Sequence, residues 1–212
     1  MSELPVGLVR RSDGSVACGW PGDDADYQRY HDVEWGEPTA EDVLLFEKVC
    51  LEGFQAGLSW LTILRKRENF RAAFAGFDLA AVAGFDDSDR VRLMNDAGIV
   101  RNRAKIEATI NNAQRAIELV EQDGSLAAYF WRFEPEASAR PKLVDHEALM
   151  NLSQTPASKA LSTDLKARGW RFVGPTTMYA LMQAMGLVND HLAGCATRPA
   201  VDAAREAFIR PG

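Results

Sequence analysis

Apolar residues return at helical spacing in segment after segment of this chain, and no stretch of useful length alternates apolar and polar residues as a strand would. That pattern confines the fold to the all-α class. "TAEDVLLFEKVCLEGF" starts at Thr39 as N-cap with Asp42 at the capping-box position, and Val43, Phe46, Val49 and Cys50 follow near helical period. "LSWLTILRKRENFRAAF" turns from an apolar half to a basic half, and "DDSDRVRLMNDAGI" reads as an acid-capped helix stopped near Gly98. "RNRAKIEATINNAQRAIELVEQDG" sets Ile106, Ile110, Ala113 and Ile117 on one face and stops at Gly124. "SLAAYFWRF" is a short aromatic helix, "TPASKALSTDLKARG" runs from Thr155 and Pro156 to Gly169, and "GPTTMYALMQAMGLV" opens on another Gly-Pro step. The stretch "EPEASARPKLVDHEALMNLSQ" reads as a surface loop, and "AVDAAREAF" as a short terminal helix. There is no internal repeat.

Composition narrows the function classes. No apolar run approaches the ~20 residues of a membrane span, and the first residues do not read as a secretory signal, so a cytoplasmic protein without a membrane partner is expected. A net charge of −6 and a pI near 5.2 count against binding a polyanion by bulk attraction. Any such contact must come from a local patch. Cys18, Cys50 and Cys195 are too few and too scattered for a disulfide scaffold.

Two of those cysteines fall into pairs with histidines. Cys18 and His31 lie near one end of the chain, and His191 and Cys195, four apart in "HLAGC", near the other. Two Cys and two His form a closed tetrahedral zinc shell, whereas catalytic zinc keeps a position open for water. Spacing alone leaves coincidence as an equal alternative. If real, the metal is structural and ties the chain ends, worth about 4–5 kcal/mol in the chain-entropy model of a crosslink. Asp32 and Asp190, each beside a ligand histidine, are candidates to orient the rings, while His146 reads as a solvated loop residue.

The segment "LMNDAGIVRNRAKI" joins two helices through a tight turn. Gly98 there can adopt a left-handed conformation, the next helix opens with free amides, and Arg101, Arg103 and Lys105 add charge. A second basic cluster, Arg65, Lys66, Arg67 and Arg71, follows Trp60. The two readings are an ordinary hairpin with solvated arginines and a phosphate-binding element that contacts DNA without reading its sequence.

Glu52 stands in an otherwise apolar or small-residue run, "CLEGFQAGLSW". A carboxylate there either reaches water or serves a pocket. The motifs "CGW", "YHDVEWGEP", "LFEKVCLEGFQAGLSW", "ILRKRENFRAAF", "DAGIVRNRAKI" and "GLVNDHLAGC" resemble the bacterial 3-methyladenine DNA glycosylase I family, from Cys18 to about Pro199. The resemblance implies a helix-hairpin-helix fold that acts on alkylated double-stranded DNA and excises 3-methyladenine. It implies a structural zinc ion (Zn2+) on Cys18, His31, His191 and Cys195, and DNA contacts at Gly98, Arg101 and Arg103. It maps the base pocket onto Tyr27, Tyr30, Glu52 and Trp60, with Glu52 accepting hydrogen bonds from the flipped base and Trp60 stacking on it. Leu58 is a candidate wedge into the base stack.

The chemistry asks little of such an enzyme. The 3-methylated purine is already cationic in the nucleotide and leaves neutral, so no acid is required. Reading on from Lys105, no aspartate occurs before Asp123 to support the sugar cation, and the family is expected to manage without it. Glu52 is the candidate catalytic residue, with base binding as its other role. No lysine is read in the motif around Glu52, so a Schiff-base nucleophile finds no support. The alternatives are a non-catalytic module that binds damaged bases or free purines, and a zinc hydrolase, which four protein ligands disfavour. The expected organisation is a leader over 1–17, one glycosylase domain over 18–199 and a tail over 200–212, working as a monomer.

Overall fold

The structure, a computed structural model, describes residues 3–212. Its centre is one helix. α2 (Asp42–Gln55) is buried without interruption from Leu45 to Phe54. A helix that is apolar nearly all round must be surrounded. Around it pack α3 (Trp60–Leu64), α7 (Arg103–Asp123), α8 (Leu126–Trp131) and α11 (Pro175–Ala184). The remaining helices are α1 (Ala25–Val33), α4 (Arg67–Ala73), α5 (Leu79–Ala83), α6 (Asp87–Asn95), α9 (His146–Met150), α10 (Pro156–Ala167) and α12 (Arg198–Ala207). The protein is therefore all-α, as the periodicity requires.

Local chemistry sets most boundaries where the sequence places them. Thr155 and Ser158 cap α10 reciprocally behind Pro156, and Asp86 and Asp89 do the same for α6. Asn102 caps α7, which Gly124 ends at a φ of +85°. Gly186 takes a φ of +76°, and a Cβ there would lie 2.5 Å from the Pro38 backbone nitrogen. Any side chain at that position would push the α1–α2 connection away from the end of α11.

Four expectations need correction. Two short strands do exist: β1 (Leu8–Arg10) and β2 (Val16–Cys18) pair antiparallel, Leu8 opposite Cys18. At three residues each they are too short to show a period of two. Glu41, not Thr39, is the N-cap of α2; Asp42 instead accepts from the Ala127 amide at 2.9 Å and so caps α8. The basic half of "LSWLTILRKRENFRAAF" belongs to a separate helix, α4, after a break at Arg65 and Lys66. The supposed loop at 134–154 contains α9, capped by Asp145.

The residue range after 199 is not separate from the rest, because α12 straddles that boundary. Arg205 and Arg210 both hold Glu134, at 2.7 and 2.9 Å, and Phe208 lies 4.5 Å from Trp131, ring centre to ring centre. Among the described residues no helix is long and apolar enough to cross a membrane.

Candidate functional site

α1 supplies Tyr27 and Tyr30, α2 supplies Glu52, and α3 brings Trp60 against Tyr30. These four residues, with Trp20, Trp35 and Gln55, line a cavity of about 600 Å³. Tyr30 and Trp60 pack 5.4 Å apart and Tyr27 lies 6.4 Å beyond Tyr30, centre to centre. The Trp60 indole nitrogen is buried without a hydrogen-bond partner. An unanswered buried N–H costs about 1–3 kcal/mol, which the packing around Trp60 must offset.

Glu52 does not reach water: its side chain is only 5% exposed. Its partner is Lys48, one helical turn earlier on α2, at 2.8 Å. This overturns the reading that no lysine stands near Glu52. Lys48 also donates to the Tyr30 hydroxyl at 2.7 Å and places its ammonium 3.2 Å from the centre of the Trp60 ring. Burial pushes Lys48 down to about 8, against the opposing pull of Glu52. Burial, and then the Glu52 charge, push Tyr27 up to about 12 and Tyr30 well above its ordinary value, so both phenols keep their hydrogens. Lys48 was missed because a lysine on an apolar helix reads as a snorkelling surface residue; its spacing of four from Glu52 was the available signal. A second cavity, about 320 Å³, lies on the Lys48 side of Tyr30 and Trp60 and contains Glu34, Glu47, Arg67 and Arg71. His146 lines the larger cavity from α9 and is half-buried, not a solvated loop residue.

The two chain ends do meet. Cys18, His31 and Cys195 are fully buried, and their donor atoms lie within 4.8 Å of one another. The two thiols act on each other, which pushes Cys18 up and Cys195 down. His191 lies beside them, its ring 4.6 Å from that of His31, but its Nε2 faces the His31 carbonyl at 3.2 Å. Both rings are tethered through Nδ1, His31 to Asp32 at 2.6 Å and His191 to Asn189 at 2.9 Å. That leaves the His31 Nε2, 3.7 Å from the Cys195 sulfur, as the available nitrogen donor beside the two thiols, a donor set that suits a metal held by nitrogen and sulfur. Asp32 thus takes the expected place. Asp190 does not: it accepts from Tyr179, Gln183 and Arg140, and Asn189 holds His191 instead. Trp20 touches both regions, 4.9 Å from Tyr27 and 5.2 Å from His31.

At the α6–α7 turn, the expected charges separate into inward and exposed, and the exposed Arg103 pairs with Glu107 at 3.5 Å. Lys105 points inward and donates to the carbonyls of Phe54 and Ala56, at 2.9 and 2.6 Å, closing the C-terminal end of α2. Arg67 holds Glu34, Arg71 holds Glu47 and Glu68, Arg65 holds Asp24, and Lys66 binds the carbonyls of Ala97 and Gly98. The second basic cluster is therefore a set of internal braces. Arg101 and Arg103 remain exposed. Gly98 is not in the left-handed region; it is required by proximity, since a Cβ would stand 3.1 Å from Asn69. Leu58, on the turn between α2 and α3, is 44% exposed.

These features define a helical protein with an aromatic-lined cavity that carries a buried carboxylate, beside a tethered Cys/His cluster. The model of the methyladenine glycosylase family matches residues 20–198. The chain is 46% identical to DNA-3-methyladenine glycosylase 1 of Escherichia coli over 183 residues, 86% of this chain and 96% of that protein. It is 44% identical to the DNA-3-methyladenine glycosylase of Haemophilus influenzae, covering 85% and 97%. A variant of 3-methyladenine DNA glycosylase I solved in complex with 3-methyladenine superposes with a TM-score of 0.79 at 34% identity, covering 86% of this chain and 97% of the other. The chain belongs to the methyladenine glycosylase family.

Proposed function

We propose that this protein is a DNA repair glycosylase that excises 3-methyladenine from alkylated double-stranded DNA and leaves an abasic site. The observation that carries the reading is Glu52, a buried carboxylate held among aromatic rings in a cavity large enough for a purine. In this reading Glu52 accepts from the amino edge of the flipped base, Tyr30 and Tyr27 line its rim, and Trp60 stacks on it. Stacking of about 1–3 kcal/mol offsets the few kcal/mol needed to unstack the base.

The reaction then needs little more. The glycosidic bond breaks with its electron pair moving onto the purine, which cancels the positive charge and releases a neutral base. A water oxygen bonds to the sugar carbon and gives up its proton. No aspartate follows the hairpin before Asp123, which is about 27 Å along α7 from Lys105 and holds Arg132 and Arg168; Glu107, one turn into α7, pairs with Arg103. Of the carboxylates that line the cavity, Asp190 is taken up by Tyr179, Gln183 and Arg140, so Glu52 is the candidate to stabilise the sugar cation. Among the described residues Lys48 lines the second cavity, behind Trp60, and not the base cavity. A lysine nucleophile is therefore not part of this reading.

The α6–α7 turn serves as a helix-hairpin-helix contact to the DNA backbone, with Gly98 shaping it and Arg101 and Arg103 supplying charge. Among the described residues the amides of Val100 and Arg101 have no internal hydrogen-bond partner, which suits a phosphate. Cys18, His31, His191 and Cys195 hold a structural zinc that supplies stability and no chemistry; His191 joins the other three by turning its Nε2 off the His31 carbonyl. One copy carries every residue named, so a monomer suffices.

Base release from methylated DNA tests the reading, with 3-methyladenine separated from 7-methylguanine. Wild type should release 3-methyladenine, and Glu52→Gln should lose roughly 10²-fold in rate per folded molecule, the scale for one preorganised electrostatic contact, with melting recorded beside it because the variant leaves Lys48 without its carboxylate. A wild type that binds the free base but releases none would be a sensor of damaged bases instead.

A further inference from the structure

Lys48 has no place in the reaction as derived so far, yet it touches three of the cavity residues. An ammonium has three hydrogens to give and no lone pair to accept. One hydrogen goes to the Tyr30 hydroxyl, one to Glu52, and the face of Trp60 lies 3.2 Å from the nitrogen. A phenol carries a single hydrogen, so a Tyr30 oxygen that accepts from a cation must donate in another direction. Glu52, paired with that cation, offers only lone pairs.

We propose that Lys48 is a positioning residue that fixes the hydrogen-bond polarity of the cavity, with Glu52 as acceptor and Tyr30 as neighbouring donor, and thereby selects adenine-type over guanine-type lesions. The inference rests on the reading that the cavity holds a 3-methylated purine. Along N6 and N7 an adenine edge offers a donor beside an acceptor, the complement of this pair. The corresponding guanine edge offers O6 and N7, two acceptors, and sets O6 against the carboxylate. A site built around a hydrogen bond rejects a partner that leaves it unmade far better than an apolar pocket rejects a shape. The ammonium also covers the back of Trp60, leaving the opposite face for stacking.

Lys48→Met removes the ammonium and keeps the length of the side chain. Single-turnover release of 3-methyladenine and of 3-methylguanine would be measured on methylated DNA, together with binding of free 3-methyladenine and thermal melting. The wild-type preference for 3-methyladenine should fall by roughly 10- to 100-fold, the range for one lost charge-assisted hydrogen bond, and affinity for the free base should fall in parallel. Lys48→Arg, which keeps the donors, should recover part of the preference. If the unpaired Glu52 prevents Lys48→Met from folding, Lys48→Met/Glu52→Gln carries no buried charge and is compared with Glu52→Gln alone. A further loss of preference in the double variant supports the role; an identical preference overturns it. A folded Lys48→Met with the wild-type preference also overturns it while leaving the glycosylase reading intact. A wild type that releases no 3-methyladenine overturns both.

Discussion

The base cavity and the Cys/His cluster are both polar islands in an apolar interior, and they are built in opposite ways. The working face of the cavity comes from neighbours in sequence: Tyr27, Tyr30, Glu52 and Trp60, with Lys48 behind them, span three consecutive helices, and the ion pair lies on a single turn of α2. The cluster comes from strangers, since Cys195 and His31 are 164 positions apart. A local site exists as soon as its helices pack, and costs the chain little entropy to close. A long-range site closes nearly the whole chain, so its main effect falls on stability. In the proposed reading, chemistry resides in the first and anchorage in the second.

The sharpest way to break that division is Cys195→Ala. It should abolish stoichiometric zinc and lower unfolding free energy by about 4–5 kcal/mol, by analogy with a long crosslink, while base release per folded molecule stays within a few-fold of wild type. Metal analysis beside urea unfolding checks this; an unchanged midpoint would remove the anchor from the account. Next in size is Arg101→Ala/Arg103→Ala. Binding to DNA should weaken and its log–log salt slope should shrink by about 2. Binding of free 3-methyladenine should not move. A loss of free-base binding would mean that the turn and the cavity are not separable.

The smallest effect concerns the wall of the second cavity. Burial raises Glu34 but the Arg67 guanidinium outweighs it, holding the carboxyl below its ordinary 4.5. A depressed carboxyl stabilises the fold fully above that ordinary value and loses the contribution as pH falls through the folded one. Glu34→Gln should therefore cost less than about 1 kcal/mol at pH 7, given its partial exposure, and the difference from wild type should vanish in strong acid. Urea midpoints at pH 7 and pH 3 test it, and a gap that widens in acid would reverse the assigned sign.

How much of this was legible in the sequence follows the same division. Helix ends were readable where a single residue forces them, as at Thr155, Asp86 and Gly124, because capping is a local bargain between a side chain and its own backbone. The identity of the Cys and His pairs was readable from donor chemistry, but not that Asn189 rather than Asp190 would hold the second ring. Adjacency in sequence does not fix direction in space. Charge was the least legible property. Arg65, Lys66, Arg67 and Arg71 form a basic run on paper, and each is matched internally by a carboxylate or carbonyl from a distant segment. Lys105 and Lys48 look like surface lysines and are buried. The β1–β2 hairpin was too short to leave a pattern.

Lys105 gives the molecule a fixed gauge. It leaves α7 just past the α6–α7 turn and grips the carbonyls of Phe54 and Ala56 at the end of α2, two and four residues beyond Glu52. One side chain thereby ties the turn to the helix that carries the cavity carboxylate. If the turn holds a phosphate, as proposed, that tie keeps the span constant, and the nucleotide, not the protein, travels the distance.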